Sequence, residues 1–350
     1  MARGSDLAPE AREGEGAAHR GSGGGRALLA GLVACGSIGA GLPDAARPLP
    51  PRATSAATAA PTGGANPGAP AASPPSPAPP PASCGNPTAT WRPPSPMPAP
   101  GSVPTTPALR RIFDRGYLIV GVRPDTPPFG SVNPDTGEFE GFDVDIANLV
   151  GRWLFGAPRH VRFRAITAAQ RLPLVAQGEI DLSTGSLTAT CDRLLEVDFA
   201  TVYYMTATGL LVSRDSNYHS LADLGGRKVC AASGTTSLQA IENEPSHPIP
   251  YPVSNVADCL IALQDGEVEG IVNDEMVLAG LAAQDPRTHV VNADRFDQPI
   301  TAGVSKDNPD LTAFVNGVLE RAFADGTWAQ IFDRWLDRTV PAPPTPVYRN

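Results

Sequence analysis

Along this chain the apolar and polar positions follow short strand-like and helix-like periods only after about residue 108. Tyr117-Leu-Ile-Val-Gly-Val122 is a compact apolar run with β-branched residues, which predicts a buried strand behind a helical stretch at 108–115. Glu138-Phe-Glu-Gly-Phe-Asp-Val-Asp-Ile-Ala-Asn-Leu-Val150 passes from a turn into an amphipathic helix, and Val161-Arg-Phe-Arg-Ala-Ile166 alternates as a strand does. Residues 171–177 read as a helix stopped by Gly178, and 180–182 as a further strand. A second series begins near Ser220. Lys228-Val-Cys-Ala-Ala232 predicts a strand, Ser233-Gly-Thr-Thr-Ser237 opens a helix, 258–265 is helical, Gly270-Ile-Val-Asn273 is a strand, and 275–283 is helical. Apolar residues at Leu311, Phe314, Val315, Val318, Leu319, Phe323, Trp328, Ile331 and Trp335 predict two helices broken near Gly326. Alternation of β and α segments places the chain in the α/β class, with a mainly parallel sheet covered by helices.

Composition explains why the pattern starts late. Between Pro43 and Pro107 stand 21 of the 39 prolines, and the only charged residues there are Asp44, Arg47, Arg52 and Arg92. Such a tract buries too little apolar surface to offset the entropy of ordering it. Residues 35–107 are therefore expected to form a disordered Pro/Ala-rich tether, the folded part to span 108–338, and 339–350 to be a C-terminal tail. Cys84 and Trp91 are unusual for a free linker and suggest that part of the tether is pinned. Ahead of it, Ala-Leu-Leu-Ala-Gly-Leu-Val-Ala-Cys at 27–35 follows Arg20 and Arg26. A basic flank and a short apolar core predict a signal peptide over 1–34, since a membrane span needs ~20 apolar residues. Leu32-Val33-Ala34-Cys35 resembles the bacterial lipobox, which implies lipidation of Cys35 and an extracytoplasmic protein anchored to the outer face of the cell membrane. Glu10, Glu13 and Glu15 are atypical of such a leader.

The net charge of −9, with no basic block, argues against nucleic acid as a partner. No CxxC pair and no histidine at ligand spacing occurs, so neither a metal site nor a cofactor is expected. Apart from Cys35, the cysteines at 84, 191, 230 and 259 form an even set, as disulfides in an oxidising compartment would.

Several motifs occur in a telling order: Val120-Gly-Val-Arg-Pro-Asp-Thr-Pro-Pro-Phe129, Gly141-Phe-Asp-Val-Asp145, Gly178-Glu-Ile-Asp181, Val197-Asp-Phe-Ala200, Ser233-Gly-Thr-Thr-Ser237, and Asp325-Gly-Thr-Trp-Ala-Gln-Ile-Phe-Asp-Arg-Trp335. Together they resemble the polar amino-acid-binding family of bacterial solute-binding proteins, family 3, over nearly all of 108–338. The resemblance implies a two-lobed, type II-like periplasmic-binding-protein fold with two crossover strands, near 203–209 and 299–303. Lobe 1 would comprise 108–203 and 304–338, and lobe 2 would comprise 208–298. It also implies a monomer that captures a small amino acid between the lobes for an ABC permease, and not an enzyme. Two alternatives share the fold: a ligand-sensing subunit for a membrane signalling receptor, and a dehydratase-like enzyme.

By the same resemblance, Arg193 clamps the ligand α-carboxylate, a task suited to a planar guanidinium that donates two parallel charge-assisted bonds. Ser186 and Thr188 share one side of the extended segment before it and offer hydroxyls or backbone groups. Thr235 and Thr236 sit at a helix N-terminus, where free N–H groups attract anions, although an ordinary N-cap accounts for them equally. Asp274 corresponds to the family aspartate that bonds the α-ammonium. Arg123 and Arg171 look like the glutamate/aspartate-binding branch, with glutamine or asparagine tolerated; the competing reading pairs them with protein carboxylates such as Asp125 or Glu140. Phe129 is a candidate cleft-lining residue. Two disulfides are predicted, Cys230–Cys259 within lobe 2 and Cys84–Cys191 at the tether's end, although four cysteines allow three pairings.

Overall fold

The computed structural model describes residues 84–291, 296–336 and 338–349. The expected signal peptide, Cys35 and the tether up to residue 83 lie outside them. In chain order the elements are β1 (Ala89–Thr90), α1 (Pro107–Arg115), β2 (Leu118–Val122), β3 (Asp125–Thr126), β4 (Gly130–Val132), β5 (Phe139–Glu140), α2 (Phe142–Phe155) and β6 (Val161–Ala165). Next come α3 (Arg171–Ala176), β7 (Leu182–Thr188), α4 (Cys191–Glu196) and β8 (Asp198–Phe199). The ten-residue β9 (Tyr204–Ser213) leads into β10 (Lys228–Ala232), α5 (Thr236–Glu242), β11 (Ile249–Val253), α6 (Val256–Gln264), β12 (Gly270–Asp274), α7 (Glu275–Ala282) and β13 (Thr288–Val291). β14 (Asp297–Val304) returns the chain to α8 (Pro309–Asp325), α9 (Thr327–Leu336) and β15 (Val347–Tyr348).

One curled sheet has the order β11-β10-β12-β9-β14-β7-β2-β6, with β13 also on β9 and β8 also on β14. Within it, β2 runs parallel to β6 and β7, and β10 runs parallel to β11 and β12. Between these two parallel halves, β9 and β14 run antiparallel, from Tyr204 opposite Ile300 to Ala207 opposite Asp297. They are the two crossovers of a two-lobed α/β protein. β7 and β12 are buried along their whole length, as parallel strands covered on both faces must be.

The helix boundaries follow local chemistry. Pro107 and Pro309 occupy first-turn positions of α1 and α8, where a missing N–H costs nothing. Gly326 takes the left-handed conformation that ends α8 and separates it from α9. Two strands differ from the sequence reading. The strand expected at 180–182 begins at Leu182 and continues to Thr188, because Ser183-Thr184-Gly185-Ser186 carries no apolar period to reveal it. The strand β11 contains Pro250 and Pro252, which only the sheet edge it occupies accommodates.

The larger correction concerns the two ends. The expected tether does not remain free up to residue 107, nor is 339–350 a loose tail: β1 pairs in parallel with β15. Asn316, fully buried on α8, donates to Thr90 Oγ1 at 2.9 Å and to the Trp91 carbonyl at 2.6 Å, while its own oxygen accepts from the Thr201 N–H at 2.7 Å. Asp198 receives Trp91 Nε1 at 2.7 Å and Arg349 Nη2 at 3.0 Å, one on each carboxylate oxygen. Further along, Trp153 Nε1 donates to the Pro98 carbonyl at 3.0 Å. The proline-rich segment is therefore a strap across lobe 1, held by polar groups that are distant in sequence. Disulfides join Cys84 to Cys191 and Cys230 to Cys259. Among the described residues, no helix is long and apolar enough to cross a membrane.

Candidate functional site

The ends of β2, β7, β10 and β12 meet at the seam between the lobes, beside the crossovers. Open α/β sheets bind ligands outside the carboxyl ends of their strands. Arg123 follows β2 and is 2% exposed. Its Nε and Nη2 donate to Asp125 at 3.1 and 2.9 Å, so the protein carboxylate foreseen as the competing partner holds it. Arg171 opens α3 and is equally buried. It donates to the carbonyls of Ala168, Gly185 and Ser186 at 3.0, 2.9 and 2.7 Å, and reaches across the seam to Gly234 O at 3.2 Å. Arg193, on the short α4 capped by Thr190, donates to Thr188 O at 2.8 Å and to the same Gly234 O at 3.1 Å. Two guanidiniums of lobe 1 thus converge on one acceptor from lobe 2. Gly234 has a positive φ, and a Cβ there would lie 2.7 Å from the Ala169 backbone, so only glycine permits this approach.

Ser186 also bridges the lobes. Its hydroxyl donates to Asp274 Oδ2 at 2.6 Å, and its backbone N–H donates to Asp143 Oδ2 at the same distance. The residue holds a φ of 48°, a left-handed conformation uncommon for serine, and Asp143 fixes it there. Thr188 and Thr236 both donate to Gln298 Oε1, at 2.8 and 3.0 Å, and the Gln298 amide donates to Thr208 Oγ1 at 3.1 Å. Asp274, Arg123, Arg171, Arg193, Ser186, Thr188 and Thr236 are therefore gathered at one seam.

Two expected residues serve differently. The Thr235 hydroxyl accepts from Leu238 N–H at 3.1 Å and donates to Ala232 O at 2.6 Å, so it is the N-cap of α5. Phe129 does not line the cleft. It is fully buried, with its ring 6.0 Å from Phe142 and 5.6 Å from Tyr204, because an aromatic beside prolines finds more contact in the core. The sequence reading also missed two groups. Asp143 lies in the quoted Gly-Phe-Asp-Val-Asp motif, which was a usable signal; Gln298, a lone glutamine just before the return crossover, offered none.

Burial and neighbours shift the charges. Burial raises Asp143 to about 7, although hydrogen bonds from Tyr203 and Ser186 and the charge of Arg171 oppose it. Asp274 is raised for the same first reason, with Ser186 and the three arginines pulling it down. Burial lowers Arg193 to about 10 against the attraction of Asp274, and it pushes Arg171 down further, aided by repulsion from Arg193 and Arg123. Protonated Asp143 has a consistent network: its proton goes to Tyr203 Oη, which lies 2.6 Å away and donates in turn to Thr184 O at 3.3 Å.

Two α/β lobes on paired crossover strands, with cationic and carboxylate groups facing each other across the seam, define a two-lobed solute-binding protein. The chain belongs to the bacterial extracellular solute-binding proteins, family 3, whose family model matches residues 118–338. It is 32% identical over 229 residues to the ABC transporter glutamine-binding protein of Bacillus subtilis, covering 65% of this chain and 84% of that one. It is 29% identical over 240 residues to the glutamate-binding protein of Corynebacterium efficiens, covering 65% and 80%. Among solved structures, it resembles an ancestral amino-acid-binding protein that is a precursor of cyclohexadienyl dehydratase. That match has a TM-score of 0.61 and 28% identity, over 66% of this chain and 100% of the other.

Proposed function

We propose that this chain captures a free polar α-amino acid at the seam, glutamate or aspartate in preference to glutamine or asparagine, and presents it to an ABC importer. The observation that carries the reading is the charge at the seam. Three buried guanidiniums, Arg123, Arg171 and Arg193, face the carboxylates of Asp125 and Asp274. With Asp143 protonated below about 7, at least one positive charge is left uncompensated. A buried excess charge favours a ligand of opposite sign, and an amino acid with a second carboxylate brings one net negative charge. In this reading Arg193 receives the α-carboxylate in place of Gly234 O, Asp274 receives the α-ammonium in place of Ser186, and Arg123 and Arg171 face the side-chain end. The ligand is held and released unchanged.

The same reading makes the protein extracytoplasmic, with a lipid on Cys35 and residues 36–83 as the tether. Calorimetric titration with glutamate, aspartate, glutamine and asparagine tests the ligand. Binding led by the acidic pair supports the charge argument. Binding led by the amides refutes the preference, and no binding of any of the four refutes the ligand class.

A further inference from the structure

The small β3–β5 unit of lobe 1 touches lobe 2 at two points, and one of them is a carboxylate. Besides gripping Arg123 with both oxygens, Asp125 accepts the Val256 backbone N–H on Oδ2 at 2.6 Å. Val256 opens α6, and the N-cap residue Asn255 makes no side-chain cap bond. The first turn of a helix has unpaired N–H groups and the positive end of the dipole, which a carboxylate satisfies. Here the carboxylate comes from the other lobe. Two residues on, Pro127 presses against α7 so closely that a Cβ on Gly280 would stand 2.4 Å from its carbonyl oxygen. The Cys230–Cys259 disulfide ties α6 to β10, and β10 runs into the turn whose Gly234 carbonyl meets Arg171 and Arg193. The end of α6 and the ligand-facing turn are thus parts of one body.

We propose that Asp125 is a closure latch that also sets ligand preference: it fastens α6 of lobe 2 to lobe 1 while partly neutralising Arg123. The second half rests on the proposed amino-acid ligand; the first does not. The side-on pair engages Nε and one Nη of Arg123, which leaves the other Nη to meet an acceptor on the ligand side chain. A guanidinium already paired with a carboxylate attracts a second carboxylate less strongly and discriminates less against an amide carbonyl. Asp125 therefore narrows the gap between acidic and amide ligands.

Two variants separate the roles. Asp125→Asn keeps the shape and an acceptor for Val256 N–H but removes the charge. It is expected to raise the ratio of the glutamine Kd to the glutamate Kd by about tenfold, the scale of one hydrogen bond to a charged group. Asp125→Ala removes the acceptor too, and is expected to lengthen the inter-lobe distances of the ligand-free protein, read by electron-electron double resonance between one spin label on each lobe. An unchanged Kd ratio in Asp125→Asn, or equal loss for all ligands, overturns the role in preference. If Asp125→Ala fails to fold, Val256→Pro, which deletes the N–H at the first helical position, gives the same distance readout. Distances that match the unaltered protein overturn the latch. Should the unaltered protein bind none of the four amino acids, the ligand reading and the preference fall together, and the distances alone decide the latch.

Discussion

Gly280 gives a direct test of whether the seam must close for binding. A Cβ at this position in α7 would lie 2.4 Å from Pro127 O and 3.2 Å from Pro127 C, both of the opposite lobe. Real Cβ contacts start near 3.0 Å, so Gly280→Ala requires the lobes to part locally by about 0.6 Å. The cross-seam bonds to Gly234 O, now 3.1 and 3.2 Å, would then pass ~3.5 Å, where an N–H···O bond is effectively lost. Losing one bond to a charged group costs ~1.5–3 kcal/mol, which predicts roughly 10- to 100-fold weaker binding of every ligand. The ligand-free protein relieves the clash by opening, and there the helix gains from the exchange. Alanine is better than glycine in a helix interior by ~0.8–1 kcal/mol, so Tm should rise by a few degrees. Calorimetric titration with glutamate and glutamine, with scanning calorimetry beside it, measures both. A higher Tm with unchanged affinity refutes the closure argument, and a loss confined to one ligand assigns Gly280 to specificity instead.

Further expectations concern single groups. Arg193→Ala should abolish measurable binding of all four amino acids in the same titration, whereas Arg123→Ala should weaken glutamate and aspartate more than glutamine; equal losses would contradict the division of roles. Asp143 is raised to about 7 in the folded protein against ~3.9 in the unfolded chain, so its stabilising contribution is full below ~4 and is lost as pH rises through about 7. Between those values it lowers stability by up to ~1.4 kcal/mol per pH unit, and Asp143→Asn should remove that slope from urea unfolding curves at pH 4.5–7.5. Asn316→Ala should unfasten the strap and cost ~2–4 kcal/mol, because the Thr201 N–H and the Trp91 carbonyl lose their buried partner; a change below ~0.5 kcal/mol by urea titration would show that the strap contributes nothing to lobe 1.

Periodicity made the lobes legible. Runs such as 117–122 and 270–273 are apolar because both faces of their strands are covered, and the apolar spacing from Leu311 to Trp335 marks helices that pack on one side. The seam was legible through ordered motifs, not through any one residue, since an arginine after a strand has no visible partner in sequence. What stayed hidden has one physical cause. The strap is held by Asn316, Asp198 and Arg349, each more than 100 residues away, and no local composition predicts a distant polar anchor. The same holds for Gln298, whose meaning comes from standing where Thr188 and Thr236 arrive from opposite lobes.

The pairing of β1 with β15 sets a timetable for the growing chain. Everything lobe 2 needs, from β9 through β13, is made as one uninterrupted stretch, so it can fold as soon as it has been synthesised. Lobe 1 has to wait for α8 and α9, and its strap waits for the final residues, because Val347 and Arg349 hold segments made more than 250 residues earlier. The half that starts first is finished last. Limited proteolysis of chains halted at increasing length is expected to find lobe 2 protected once Val304 has been added, while 84–107 remains open to cleavage until the end is reached; early protection of that segment would reverse the order.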